Sequence, residues 1–261
     1  MLSRLLSRRR PEPIHAQLPH GRRIYAIGDI HGRLDLLDDL LAQIAEDDMA
    51  RGPAQTGLVF LGDLVDRGPE SAGVVERVRV LCAERPDTRC LAGNHEEILL
   101  GAYDGDTDLL RLLLRAGGTE TLLSYGLGEA EFDAATIPEL AELIVQHIPA
   151  EHIAFLRALD DYVVEGDYLF VHAGIRPGVA LDRQATNDLR WIREPFLNHG
   201  GNHGMLVVHG HTITEEIDER DNRIGIDTGA YRSGRLTALG MEGDRRWSLA
   251  TGADKHLATL S

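Results

Sequence analysis

Cysteine is nearly absent: Cys82 and Cys90 are the only two in a chain of 261 residues. Neither falls in a C-x-x-C pair or a spaced Cys/His zinc pattern. That excludes a disulfide framework and a thiolate metal site, fits a reducing compartment, and leaves both thiols as packing residues. Positive charge is scarce too. Lys and Arg total 27 against 42 Asp and Glu, a formal charge of −15, which excludes general nucleic-acid or anionic-membrane binding through a basic surface. No apolar run approaches the ~18 residues that span a bilayer, so stable membrane insertion is excluded as well. The start, MLSRLLSRRR, is basic but lacks the apolar stretch of roughly 7 to 15 residues and the small-residue cleavage site of a secretory leader. It reads as part of a flexible basic tail over 1–22, and the protein as cytoplasmic.

What remains is an acidic globular chain, 43% hydrophobic and 26% charged, long enough to bury its own core. From Arg23 onward, short apolar runs alternate with helical patterns. The run 24–32 (IYAIGDIHG) leads to Leu34, Leu37, Leu40, Leu41 and Ile44 at helical spacing. The run 57–68 (GLVFLGDLVDRG) leads to Val74, Val75, Val78 and Leu81, and 89–96 (RCLAGNHE) opens a third helical stretch. Three strand-then-helix units predict a layered structure with these strands close together. The stretch 101–159 is helical by pattern and broken by Gly and Pro, which predicts a helical insert. Strands return around Gly166-Asp167, in MLVVHGHT, in NRIGIDTGAY and in a closing pair about Glu242 to Asp244. No fixed-period repeat is present, which excludes solenoids and propellers.

Five segments place Asp, Asn or His beside glycine at the end of an apolar run: Gly28-Asp29-Ile30-His31-Gly32, Gly62-Asp63-Leu64-Val65-Asp66-Arg67-Gly68, Gly93-Asn94-His95-Glu96, Val171-His172-Ala173-Gly174 and Val208-His209-Gly210-His211-Thr212. An aspartate at a strand end is by itself an ordinary cap or turn residue. Five such segments in chain order, with glycines that let the backbone approach an ion, supply carboxylate, amide and imidazole donors and no thiolate. Asp29 and His31, one residue apart, point to one side of a strand end and grip one ion. The Asp63 carboxylate has two oxygens and bridges two cations ~3.5 to 4 Å apart. Asn94, His172 and His211 complete the second ion, and the positive charge left over suits a phosphate.

These segments resemble the metallophosphoesterases of the phosphoprotein phosphatase type, and most of all their compact bacterial and phage Ser/Thr phosphatases. The likeness runs from about Ile24 to Leu239. It implies an α+β calcineurin-like fold of two packed β-sheets flanked by helices, in a single domain over 23–250 with a C-terminal tail over 251–261. It also implies metal ligands Asp29, His31 and Asp63 for one ion and Asp63, Asn94, His172 and His211 for the other. The family's phosphate-binding arginines fall on Arg67 and, in Trp191-Ile192-Arg193, on Arg193. Where the wider superfamily has a second histidine after GHxH, this chain has Ile213, so His209 is a structural neighbour and not a ligand. The insert, with Gly117-Gly118 and 121–126, resembles that of bacterial members. It reads either as a substrate-shaping cap or as plain packing.

His95 follows a ligand, so it lies close to the site without sharing the metal, which is the position of a general acid. Asp66 is expected beside it, orienting the imidazole and favouring its protonated form. Glu96 reads as a helix-start residue, and Asp227 and Gly229 as shaping the strand near His211. The reaction expected is one-step hydrolysis of phosphoserine, phosphothreonine or phosphotyrosine in a phosphoprotein or phosphopeptide. In it, water held between two divalent metal ions attacks phosphorus in line. Oxygen and nitrogen donors favour Mn²⁺, with Fe or Zn as alternatives. A thiol-based phosphatase is excluded, because neither cysteine stands in a phosphate loop. Two alternatives share the motifs: a symmetrical dinucleoside tetraphosphatase, and a non-catalytic binding protein on the same fold. In the former group the second motif lacks the aspartate matching Asp66. The latter is expected to have lost a ligand, and none is missing.

Overall fold

The computed structural model of the chain describes residues 14–252 and 259–260. The first strand shows how the layers arise. In β1 (Arg22–Ile27), Tyr25 and Ile27 join a core shared with helices, while Ile24 and Ala26 join a second core between two sheets. Side chains alternate across a strand, so a strand buried on both faces reads as a continuous apolar run, as it does here. β1 pairs in parallel with β2 (Gln55–Phe60), and β2 with β3 (Thr88–Cys90). On its other side β1 pairs antiparallel with β9 (Thr237–Glu242), which continues to β10 (Arg245–Ala250) and β11 (Thr259–Leu260).

The second sheet has the order β4 (Tyr162–Glu165), β5 (Tyr168–Val171), β6 (Leu206–His209), β8 (Arg223–Gly225), β7 (Asp218–Arg220). In it β5, β6 and β8 run parallel. Tyr168 and Phe170 face the first sheet, while Leu169 and Val171 face outward onto Leu189, Ile192 and Phe196. The two sheets therefore lie face to face, with α1 (Leu34–Ala50), α2 (Ser71–Glu84) and α3 (Asn94–Tyr103) on the outer side of the first. The outer side of the second is covered by the segment containing α9 (Thr186–Trp191). This is the α+β two-sheet architecture expected, with helices outside both sheets.

The insert forms α4 (Thr107–Arg115), α5 (Gly118–Ser124), α6 (Glu129–Ala134), α7 (Ile137–His147) and α8 (Ala150–Arg157). Leu110, Leu113, Leu122, Leu140, Ile144 and Leu156 sink into the same core as α1 to α3. One charged residue is fully buried in β1: Arg23 ion-pairs with Asp48 (2.6 Å) and Glu242 (2.8 Å). Pairing of this kind is what makes a buried charge tolerable.

The ends of the chain differ from expectation. Residues 1–22 were expected to be a tail, but Ala16 and Leu18 are buried between the sheets, and the Leu18 N–H donates to the Gly243 carbonyl (2.9 Å). The chain is therefore packed into the core from Ala16 onward, and residues 1–13 lie outside the described residues. At the other end Thr251 is buried and β11 adds to the sheet edge, so 251–261 is not wholly a tail. Residues 253–258 and 261 lie outside the described residues. The short strands β7 and β11 carry no alternation long enough to be read from sequence. Among the described residues no helix is long and apolar enough to cross a membrane.

Candidate active site

Every one of the five chemically loaded segments leaves the carboxyl end of a strand: β1, β2, β3, β5 and β6. Parallel pairing within each sheet brings these ends together at one edge, the ordinary place for a site in such sheets. Among the described residues, the non-glycine residues at positive φ are His31, Asp63, Asp66, Arg67 and His211. All five belong to this cluster. Left-handed backbone costs a non-glycine residue on the order of 1 kcal/mol or more, so its surroundings must hold it there. The Ile30 and His31 N–H groups donate to the Asp63 carbonyl (3.1 and 2.9 Å), and the Arg67 N–H donates to the Gly117 carbonyl (2.8 Å). Asp66 N–H donates to Ser71 Oγ and Thr121 Oγ1 (3.0 and 2.9 Å), and His211 N–H to Asp29 Oδ2 (3.0 Å).

Asp63 stands at the centre. Its Oδ2 lies 3.5 Å from His172 Nε2, 3.6 Å from His31 Nε2 and 4.0 Å from His95 Nε2. Burial alone would raise its pKa, but His172, His95, His31 and His211 outweigh it and hold the carboxyl well below the usual range. His31 Nδ1 donates to the Val65 carbonyl (2.8 Å) and His172 Nδ1 to the Leu61 carbonyl (2.8 Å). Each ring thus turns a bare Nε2 inward. Burial drives the His31 and His211 pKa values down to about 3 and lowers that of His172, so these rings are neutral donors at neutral pH.

Among the described residues, two groups of side chains sharing Asp63 have the geometry to hold a metal ion: His31, Asp63 and His95, and Asp63, His172 and His211, with the donor atoms of each within 4.8 Å of one another. Asp29 is buried beside them with Oδ1 unpartnered, as is His211 Nε2. Asn94 Oδ1 lies 3.1 Å from the inward nitrogen of His172. Converging acceptors with unpartnered buried atoms and no thiolate fit divalent cations and nothing softer. Two glycines permit the arrangement, since a Cβ at Gly93 would overlap the Asp63 carboxylate and one at Gly210 the Asp29 carboxylate. Asp29 and Asp227 influence one another's ionisation. Burial raises both pKa values, Asp227 to about 6, and mutual repulsion adds to the shift of Asp29.

Beside Asp63, His95 Nδ1 and Asp66 Oδ2 are 2.6 Å apart and both groups are buried. Burial opposes a charge on His95, but Asp63 and the bond to Asp66 prevail and raise its pKa. Arg67 NH1 and NH2 donate to the Nε2 atoms of His31 (2.9 Å) and His95 (3.0 Å), and its guanidinium lies 4.7 Å from the centroid of the Tyr231 ring. Arg193 is exposed, and its guanidinium reaches the His211 carbonyl (3.4 Å). Arg176, by contrast, is committed to Asp188 in a two-bond pair (2.7 and 2.6 Å). All ten sequence-derived site residues are thus gathered at one edge, with His95 as close to the shared carboxylate as a ligand would be. His209 packs its ring against Phe196, 5.1 Å between centroids, and joins neither donor group.

Three contributions went unread in the sequence. Glu96 does start α3, accepting the Gly93 N–H (2.9 Å), but its fully buried carboxylate also accepts the Asp63 and Leu64 N–H groups (2.9 and 2.8 Å). Tyr231 presents its ring to His31 and Arg67. Thr121 and Ser71 hold Asp66 from the insert and from α2. Of these only Glu96 carried a signal, its place beside Asn94 and His95. The insert, read as a cap or as packing, packs on the helical core and reaches the site through α5.

A two-sheet sandwich with an Asp-shared donor cluster at its strand ends is the framework of a metal-dependent phosphoesterase. The chain belongs to the calcineurin-like phosphoesterase family, whose model matches residues 22–227. It is 30% identical over 235 residues to serine/threonine-protein phosphatase 1 of Salmonella typhimurium, covering 87% of this chain and 97% of that one. It is 29% identical over 230 residues to an asymmetrical bis(5'-nucleosyl)-tetraphosphatase of Anoxybacillus flavithermus, covering 82% and 88%. A solved structure titled as a putative diadenosine tetraphosphatase superposes with a TM-score of 0.61 at 25% identity, covering 88% of this chain and 94% of that one.

Two expectations follow from this geometry. Asp63→Asn is expected to remove more bound Mn²⁺ per chain, measured by elemental analysis after dialysis, than Asp29→Asn, since Asp63 belongs to both donor groups. Equal metal content in the two variants contradicts the sharing. Cation binding must also compete with protons on Asp29 and Asp227. Burial raises the pKa of both carboxyls, that of Asp227 to about 6, so protons compete with the cation more strongly as pH falls. Mn²⁺ affinity by titration calorimetry is therefore expected to rise between pH 5.5 and 7.5, and a flat profile contradicts this competition.

Proposed function

We propose that this phosphoesterase hydrolyses phosphoserine and phosphothreonine monoesters in proteins, as a cytoplasmic enzyme loaded with two divalent cations, Mn²⁺ foremost, with Fe or Zn as alternatives. Asp29, His31 and Asp63 would hold one cation, and Asp63, Asn94, His172 and His211 the other. Cations bound there supply Lewis acidity, which acidifies water and offsets charge on the phosphoryl oxygens. Arg67 and Arg193 bind those oxygens. A phosphoryl dianion is a stronger acceptor than an imidazole, so its arrival draws the Arg67 N–H groups off His31 and His95. His95 Nε2 is then free to take up a proton from solvent. As a water oxygen gives up a proton to solvent and bonds to phosphorus, the phosphorus–oxygen bond to serine breaks and the His95 proton passes to the departing alkoxide. Asp66 holds the Nδ1–H and offsets the imidazolium charge.

The observation that carries the monoester reading is the 2.6 Å Asp66–His95 pair beside the donor cluster. It supports the reading of His95 as a proton source for a basic leaving alkoxide. A second reading, hydrolysis of a dinucleoside tetraphosphate, is favoured by the names of the Anoxybacillus relative and of the superposed structure. Metal-loaded protein assayed side by side is expected to show the higher kcat/KM on a phosphoserine peptide, and turnover of diadenosine tetraphosphate alone overturns the monoester reading. General-acid help is worth typically ~10²- to 10⁴-fold and matters most for poor leaving groups. His95→Asn is accordingly expected to lose far more rate on a phosphoserine peptide than on nitrophenyl phosphate, with metal content unchanged. Equal losses make His95 a phosphate positioner, and lost metal makes it a ligand.

A further inference from the structure

Asp66 is held by a residue from outside all five ligand-bearing segments. Thr121, on α5 of the insert, is fully buried. Its Oγ1 accepts the Asp66 N–H (2.9 Å) and lies 2.7 Å from Asp66 Oδ1 and 3.1 Å from Ser71 Oγ. A hydroxyl has one proton to give, and a carboxylate is a better acceptor than another hydroxyl. The Thr121 O–H therefore donates to Asp66 Oδ1, and Ser71 O–H donates to Thr121 Oγ1. Ser71 Oγ in turn accepts the Asp66 N–H (3.0 Å). The chain of donors runs Ser71 to Thr121 to Asp66, and His95 Nδ1–H closes on the remaining oxygen, Asp66 Oδ2 (2.6 Å).

One hydroxyl thus grips both the peptide N–H and the side chain of a residue whose backbone sits at φ +73°, a conformation that needs outside support. The hold also sets direction. With Oδ1 taken by Thr121, Oδ2 is left to the imidazole, which fixes the proton on Nδ1 and leaves Nε2 facing the donor cluster. The same insert supplies the Gly117 carbonyl that accepts the Arg67 N–H (2.8 Å), so the Asp66-Arg67 turn is clamped at both residues by α5 and the residue before it.

We infer that Thr121 is a positioning residue for the Asp66–His95 pair, through which the helical insert governs turnover of substrates with poor leaving groups. The inference rests on the reading of His95 as the leaving-group acid. Its test is kcat and KM of the manganese-loaded protein on a phosphoserine peptide and on nitrophenyl phosphate, with bound metal measured in parallel. Thr121→Val keeps the shape and deletes the hydroxyl. It is expected to lower kcat on the peptide on the order of tenfold, a part of the general-acid contribution. On nitrophenyl phosphate, kcat, and on both substrates KM, are expected to stay within about twofold, with metal content unchanged. Thr121→Ser, which restores the hydroxyl, is expected to recover the peptide rate.

Added to His95→Asn, Thr121→Val is expected to cost little more, because it acts through the imidazole. Ser71→Ala removes the donor behind Thr121 and one of the two acceptors of the Asp66 N–H, is the variant to use where Thr121→Val does not fold, and is expected to show the same split in weaker form. Equal losses on both substrates, a Thr121→Ser variant as poor as Thr121→Val, or no split in either Thr121→Val or Ser71→Ala overturns the inference. A leaving-group split in His95→Asn without one in Thr121→Val shows that Thr121 is at fault. Absence of the split in His95→Asn itself shows that the acid reading, and the inference with it, has failed.

Discussion

The site depends on one buried carboxylate kept ionised and pointed at several imidazoles at once. Asp63 can do this because its backbone is bent into the left-handed region and pinned there from two directions. Its carbonyl receives the N–H groups of Ile30 and His31 from the first loop, while its own N–H is taken by Glu96 from the third. Three loops from three strands are thereby locked around a single residue. Glu96 is the less visible half of this lock. It accepts N–H groups from the second and third loops, and burial followed by the nearby Asp63 charge raises its pKa to about 7. A shorter or neutral side chain there would leave buried N–H groups short of acceptors, an expense comparable to losing the hydrogen bonds outright.

Strain and chemistry coincide throughout the cluster. Among the described residues, the left-handed non-glycine residues are three of the proposed ligands, the carboxylate paired with His95, and the arginine that reaches His31 and His95, and each is held by a partner distant in sequence. A rigid frame is needed to impose such conformations, and the face-to-face sheets with their three apolar clusters provide it. Carboxylates and imidazoles then balance one another within the buried volume: Asp63 is held ionised, the pKa values of Asp29 and Asp227 are raised, and His31, His172 and His211 stay neutral. Such a site is prepared to exchange a proton for a divalent cation with little rearrangement of its backbone.

Much of this was legible in the sequence, for definite reasons. The strand-then-helix units showed because both faces of the central strands are buried, which writes continuous apolar runs, and the site residues other than Arg193 showed because they follow such runs in glycine-bearing segments. What stayed hidden depends on partners far apart in the chain. Thr121 meets Asp66 across 55 residues, and no periodicity marks a hydroxyl that serves a distant carboxylate. Tyr231 lies in a run that read only as strand-shaping, and its role arises from where the turn at Gly229 sets the ring. Ala16 and Leu18 looked like part of a basic tail because two apolar residues make no pattern, yet they close one end of the core between the sheets.

The most direct test of the central claim, that one aspartate unites two cation sites, is anomalous scattering from crystals of the manganese-loaded protein. Two manganese peaks ~3.5 to 4 Å apart, both within bonding distance of the Asp63 carboxylate, are the result this account predicts. A single peak, or a second peak that does not touch Asp63, would contradict it.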